Sequence, residues 1–140
     1  MRPALATALG LVLMAIASCG DGGSSGATGT APAGGAAKRL TADQQAVVTR
    51  SDRTVERYCG DLALSLTGQR KSPSVGEQGR AFAATDRLIE VAREKPAAPL
   101  ETGVEMGLFL GDLAEDLEGS NCDPRLVARI DQALATLPQP

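Results

Sequence analysis

Any chemistry in this chain has to come from carboxylates, arginines and cysteines, because the sequence contains no histidine. That removes Ser-His-Asp and Cys-His nucleophilic arrangements and most transition-metal sites, which need imidazole as base or ligand. No glycine-rich loop follows a strand pattern, so backbone phosphate cradles are excluded as well. The densest acidic set is Asp112, Glu115, Asp116 and Glu118. Two carboxylates facing each other across a cleft could act as acid and base, or hold a divalent cation weakly. This set lacks the Asp-x-Asp-x-Asp-Gly order of a calcium loop, and its spacing is that of a solvated helix face. Arg50, Arg53 and Arg57 share another face and could attract anionic headgroups or wall polymers. Asp52 and Glu56 are interleaved with them, as on an ordinary charged surface. Tyr58 reads as a packing residue beside Cys59; as a haem ligand it would have no histidine partner. The expectation is a chain with no catalytic residues, no cofactor and no metal site.

The N-terminal stretch is different in kind. Arg2 is followed by an uncharged apolar run from Ala4 to Ala17, then by Ser18, Cys19 and Gly20. A positive start, an apolar run of roughly 7–15 residues and a small-residue cleavage site make a secretory signal. A spanning helix would need about 20 apolar residues. Ile16-Ala17-Ser18-Cys19 resembles the lipobox of bacterial lipoproteins at all four positions: aliphatic, small, small, cysteine. The resemblance implies that residues 1–18 are a lipoprotein signal peptide. It also implies that the Cys19 thiol receives a diacylglycerol, and that Cys19 becomes the first residue of the mature chain. A single acyl chain gives only marginal membrane binding, whereas two or more hold firmly. The implied location is the cell envelope, on the extracytoplasmic face of a membrane.

If Cys19 carries lipid, Cys59 and Cys122 remain as an even pair among the three cysteines. Outside the cytoplasm such a pair usually forms a disulfide. Free thiols are the alternative, and two cysteines without histidine do not make a usual zinc site. The net charge of −3 and pI near 4.9 argue against a nucleic-acid partner.

Residues 19–37 read as the lipidated cysteine and a Gly/Ala/Ser tether without large apolar side chains. Such a composition cannot bury enough surface to offset its ordering entropy. A Gly-rich segment of this length has an r.m.s. span of about 25 Å.

Residues 38–140 have helical patterning. Thr41-x-x-Gln44 is a capping box, and Val48, Val55, Cys59, Leu62 and Leu66 follow on one face, up to a stop near Thr67-Gly68. A second box, Ser74-x-x-Glu77, opens a helix with Phe82, Leu88, Ile89 and Ala92 as its buried stripe, ended by Lys95 before Pro96. A third helix is expected from about Leu100 to Glu118. Gly103, Gly107 and Gly111 would lie in its apolar arc, where another backbone approaches closely or a homodimer forms. Asp123 caps a fourth helix with Pro124 at its first position, and Leu126, Val127, Ile130, Leu134 and Leu137 as its core face. The fold class is all-α: a small antiparallel bundle of about four helices.

These features lead to a membrane-anchored, non-enzymatic binding module whose partner is an envelope protein or wall component. The alternative is a carrier or sensor of a small apolar ligand, held in a cavity bordered by the glycines of the third helix.

Overall fold

A computed structural model describes residues 39–138. Cys19, the signal segment and the tether lie outside the described residues. The architecture is all-α, with four helices: α1 (Ala42–Leu66), α2 (Val75–Glu94), α3 (Met106–Gly119) and α4 (Pro124–Leu134). No helix among the described residues is long and apolar enough to cross a membrane.

Local capping sets most of the boundaries. Gln44 N–H donates to Thr41 Oγ1 at 3.1 Å and Thr41 N–H to Gln44 Oε1 at 3.0 Å. Ser74 and Glu77 form the same reciprocal pair at the start of α2. The Ser74 N–H and hydroxyl both donate to Glu77 Oε2, at 2.7 and 2.8 Å, and hold the Glu77 carboxyl below the usual carboxylate range, since each favours the charged form. α1 ends in a Schellman motif. Gly68 has φ +73°, and Gln69 N–H donates to Leu64 O and Gly68 N–H to Ser65 O, both at 3.0 Å. The close of α3 repeats it with Asn121 at φ 52°: Cys122 N–H reaches Leu117 O and Asn121 N–H reaches Glu118 O. That turn delivers Cys122 and the cap residue Asp123 directly to the head of α4.

The helices form two hairpins. α1 packs chiefly on α2, and α3 chiefly on α4, with α2 also touching α3 and α4. Gln44 bonds Glu94 across the first hairpin and Tyr58 meets Gln78, so α1 and α2 run antiparallel. The core is continuous. Leu88, Met106, Leu110, Leu126, Ile130 and Val55 are fully enclosed, and Ala81, Ala84 and Ala92 let helices approach closely. Fully burying one such large side chain contributes on the order of 1.5–3 kcal/mol, before conformational entropy is set against it.

Four expectations are corrected. The third helix starts at Met106, not Leu100. Residues 95–105 form a strap over its N-terminus: Met106 N–H donates to Ala98 O at 2.9 Å and Gly107 N–H to Pro96 O at 2.8 Å. The strap carbonyls satisfy donors that a helix end otherwise leaves free, and α3 accordingly has no side-chain cap bond. Leu100 is still buried, inside a tight turn where it exchanges bonds with Gly103 and Val104, and Gly103 has φ +85°.

The three glycines therefore do not form one stripe along α3. Gly103 lies outside the helix, and nothing would meet a Cβ at Gly111 within 4 Å. Only Gly107 is closely approached: a Cβ there would stand 3.2 Å from Pro96 O of the same chain. Leu66, expected on the buried face of α1, is its last helical residue and is 72% exposed. Phe82, Val127 and Leu134 are half-buried at the edge of the core, and Ala133 is enclosed in the last turn of α4 instead.

Candidate functional site

Cys59 and Cys122 are joined by a disulfide, with Cα atoms 5.1 Å apart. The bridge ties the middle of α1 to the turn between α3 and α4. Pairing the cysteines also brings their chain neighbours together. Tyr58 Oη donates to Asp123 Oδ2 at 3.3 Å, and Gln78 Nε2 donates to the same oxygen at 3.1 Å. Arg125 completes the cluster: its backbone N–H and Nε reach Oδ1 at 3.1 and 2.9 Å, and one guanidinium nitrogen reaches Oδ2 at 2.7 Å.

Tyr58 and Asp123 are both buried. A buried carboxylate is tolerated only when it is paired and hydrogen-bonded, and here both carboxylate oxygens are engaged. The guanidinium of Arg125 accordingly holds the Asp123 carboxyl down to about 2, against the desolvation that would raise it. The Arg125 and Arg129 guanidiniums also stand 5.5 Å from the centre of the Phe82 ring, one contact each, and Arg129 pairs with Asp86 at 3.3 Å. These satisfied polar contacts make the junction a fastening between helices. Tyr58 is buried and hydrogen-bonded within it.

The acidic residues separate into two groups. Asp112 and Asp116 on α3 line a groove of about 420 Å³ opposite Asp52 and Glu56 on α1. The floor of this groove is apolar: Cys59, Ala63, Phe109, Leu113 and Leu117. Leu113 and Leu117 are buried and Phe109 is half-exposed into it. Burial pushes the Asp52 carboxyl up, the neighbouring Glu56 pushes in the same direction, and Arg53 offsets part of both. Glu115 lies outside this groove, and Glu118 lines a separate cleft near Cys122 and Pro124. Among the described residues no three carboxylates or cysteines converge in a way that could hold a metal ion.

Arg50, Arg53 and Arg57 lie along the outer face of α1, in a shallow cleft whose other wall includes Glu101. None of the three makes an ion pair among the described residues. Of Gly103, Gly107 and Gly111, only Gly107 is covered by the strap; a Cβ at either of the others would meet nothing within 4 Å. Both the acidic groove and the arginine cleft are open to solvent.

Sequence reasoning missed the facing of Asp52 and Glu56 with Asp112 and Asp116. Each pair is spaced i, i+4 and so shares a helix face, but nothing in either segment says that the two faces meet. The Tyr58–Asp123 contact was more accessible: once the two cysteines are paired, their neighbours have to be close.

Comparison with protein-family models, with curated proteins and with solved structures finds no match for this chain.

Proposed function

We propose that the chain is a lipid-anchored envelope protein whose helical domain is a non-enzymatic binding module. The observation that carries the reading is the Cys59–Cys122 bridge. It places two of the three cysteines in a disulfide, a bond typical of oxidising compartments outside the cytoplasm. It leaves over the one cysteine that stands in the Ile16-Ala17-Ser18-Cys19 motif. A diacylglycerol on Cys19 supplies the two chains that stable anchoring requires. The polar clusters of the described domain support the binding part of the reading, because each is either fully satisfied or opens as a groove.

Metabolic labelling with a fatty acid tests the anchor. The wild-type chain takes up label and stays with the membrane fraction, and Cys19→Ser abolishes both. A chain that remains unlabelled, and fractionates identically with serine at position 19, contradicts the anchor. Site-directed photo-crosslinking from the helical domain in intact cells tests the module. Discrete crosslinks to one envelope component are expected, and their absence from every face would refute the binding role.

A further inference from the structure

In sequence Arg50, Arg53 and Arg57 are interleaved with Asp52 and Glu56, as on an ordinary mixed surface. The fold separates the two sets. Asp52 and Glu56 turn into the groove against α3. The arginines line a different cleft, in which Glu101 of the strap is the one carboxylate. At about 100° per residue the three arginines fall within about 60° of one another. Val48, Val55, Tyr58 and Cys59, which are buried, lie on the opposite half of the helix. All three arginines are exposed. Arg53 acts on Asp52 through space, yet none of the three forms an ion pair among the described residues. Two other arginine-bearing clefts are balanced: Arg93 and Arg129 stand with Asp86, Glu90 and Glu94 in one, and Arg57 and Arg80 with Asp61 and Glu77 in the other. The hydroxyls of Thr49 and Thr54, beside the arginines, are already bonded to the carbonyls of Gln45 and Arg50. The face therefore offers charge over a broad shallow surface, not a set of free donors closing on one small ligand.

Its place in the chain indicates what covers it. α1 is the first helix after the tether, and the arginines stand about 12–22 Å along it from Ala42, at about 1.5 Å per residue. A Gly-rich segment of the tether's length spans about 25 Å, so a bilayer that holds Cys19 is within reach of all three. We propose that the arginine face of α1 docks on the anionic headgroups of the membrane that holds Cys19, laying α1 along the bilayer. The net charge of −3 would keep an evenly charged chain away from such a surface. Docking therefore selects the one face from which the carboxylates have been turned aside. Asp43, in the first turn of α1, and Glu101 at the cleft's edge oppose it in part. Docking of this kind rests on the lipid anchor proposed above.

The test uses the lipidated protein, purified from its host's membranes and reconstituted in vesicles of phosphatidylcholine, with or without phosphatidylglycerol. Each vesicle carries a trace of lipid with a nitroxide on its headgroup, which quenches a fluorophore only at near contact. With Cys19 lipidated and Cys59 bridged to Cys122, a thiol introduced by Ala46→Cys in the arginine cleft, or by Ala128→Cys on α4, takes the fluorophore alone. Quenching at position 46 should rise when phosphatidylglycerol is present, and quenching at position 128 should not. Salt at about 1 M, where the screening length is about 3 Å, should abolish the rise. Each basic side chain at an anionic surface shifts the docked population about fivefold, so Arg50→Gln/Arg53→Gln/Arg57→Gln should lower the ratio of docked to undocked domain roughly hundredfold. That returns the quenching to its level in neutral vesicles. The control Arg80→Gln/Arg87→Gln/Arg93→Gln removes the same charge from α2 and should leave the rise intact. Melting curves verify that both variants fold.

Three results overturn the docking. One is equal quenching at position 46 in neutral and anionic vesicles. Another is an equal loss in both arginine variants, which marks attraction by net charge without a preferred face. The third is an equal rise at positions 46 and 128, which marks approach without orientation. If mass spectrometry finds no diacylglycerol on Cys19, the anchor falls and the docking falls with it. If Cys19 carries the lipid and the quenching ignores phosphatidylglycerol, the anchor stands and the docking alone falls.

Discussion

Replacing Asp123 isolates the electrostatic part of the α1–α4 junction from its capping part. The Asp123→Asn variant retains a side-chain oxygen for the cap, and asparagine serves that role about as well as aspartate. What it loses is the negative charge that five donated hydrogen bonds converge upon. The folded-state pKa of about 2 lies below the ordinary 3.8, so the fold favours the ionised form. A depressed carboxylate pKa contributes stability in full above about pH 4, and that contribution is lost as pH falls toward 2. At about 1.36 kcal/mol per unit the shift sets an upper bound of roughly 2.4 kcal/mol. The Arg125 side chain is 66% exposed, and solvent screens such a pair, which brings the expected contribution to about 1–2 kcal/mol.

Asp123→Asn should therefore cost about 1–2 kcal/mol at pH 7. Asp123→Ala also removes the cap and one partner of the buried Tyr58 hydroxyl, and should cost about 2–4 kcal/mol. Urea denaturation followed by far-ultraviolet circular dichroism, from pH 7 down to pH 2, measures both. The gap between wild type and Asp123→Asn should hold constant to about pH 4 and shrink to a few tenths of a kcal/mol by pH 2. The other carboxylates titrate in both proteins and cancel. If the gap at pH 7 is absent, or persists unchanged at pH 2, the carboxylate is not the charged centre of the junction.

Further outcomes follow from the same structure. Opening the Cys59–Cys122 bridge, by reductant or by alanine at both positions, releases a loop closed over a separation of 63 residues, and the chain-entropy relation puts the loss near about 4 kcal/mol. A loss below about 1 kcal/mol in denaturant titration would show that the unfolded chain is already constrained there. Gly111→Ala should stabilise the protein by about 0.5–1 kcal/mol, since a Cβ there meets nothing within 4 Å and helix propensity alone decides. Gly107→Ala should give no such gain, because its Cβ would crowd Pro96 O at 3.2 Å. Equal increases in melting temperature for the two would refute the position of the strap.

Helix starts at Thr41, Ser74 and Asp123 and stops at Gly68 and Lys95 are decided within about four residues of chain, by caps and by the conformational demands of glycine and proline. The sequence alone was therefore sufficient for them, for the all-α class and for part of the apolar faces of α2 and α4: Leu88, Ile89, Ala92, Leu126 and Ile130 are buried as expected, whereas Phe82, Val127 and Leu134 are half-buried. The start of α3 was not local in this sense. Its first donors are satisfied by carbonyls of Pro96 and Ala98, across a turn that no apolar periodicity encodes. The stripe through Leu100 and Gly103 continues the helical period into residues that the strap holds in another conformation. Facing is the other thing that only tertiary structure decided. A run spaced i, i+4 states that Asp112 and Asp116 share a face, as do Asp52 and Glu56, but which face lies opposite which depends on how the two hairpins pack. Periodicity records what one helix hides from water; it contains no term for the neighbour that does the hiding, and so the groove, unlike the helices, had to come from the assembled core.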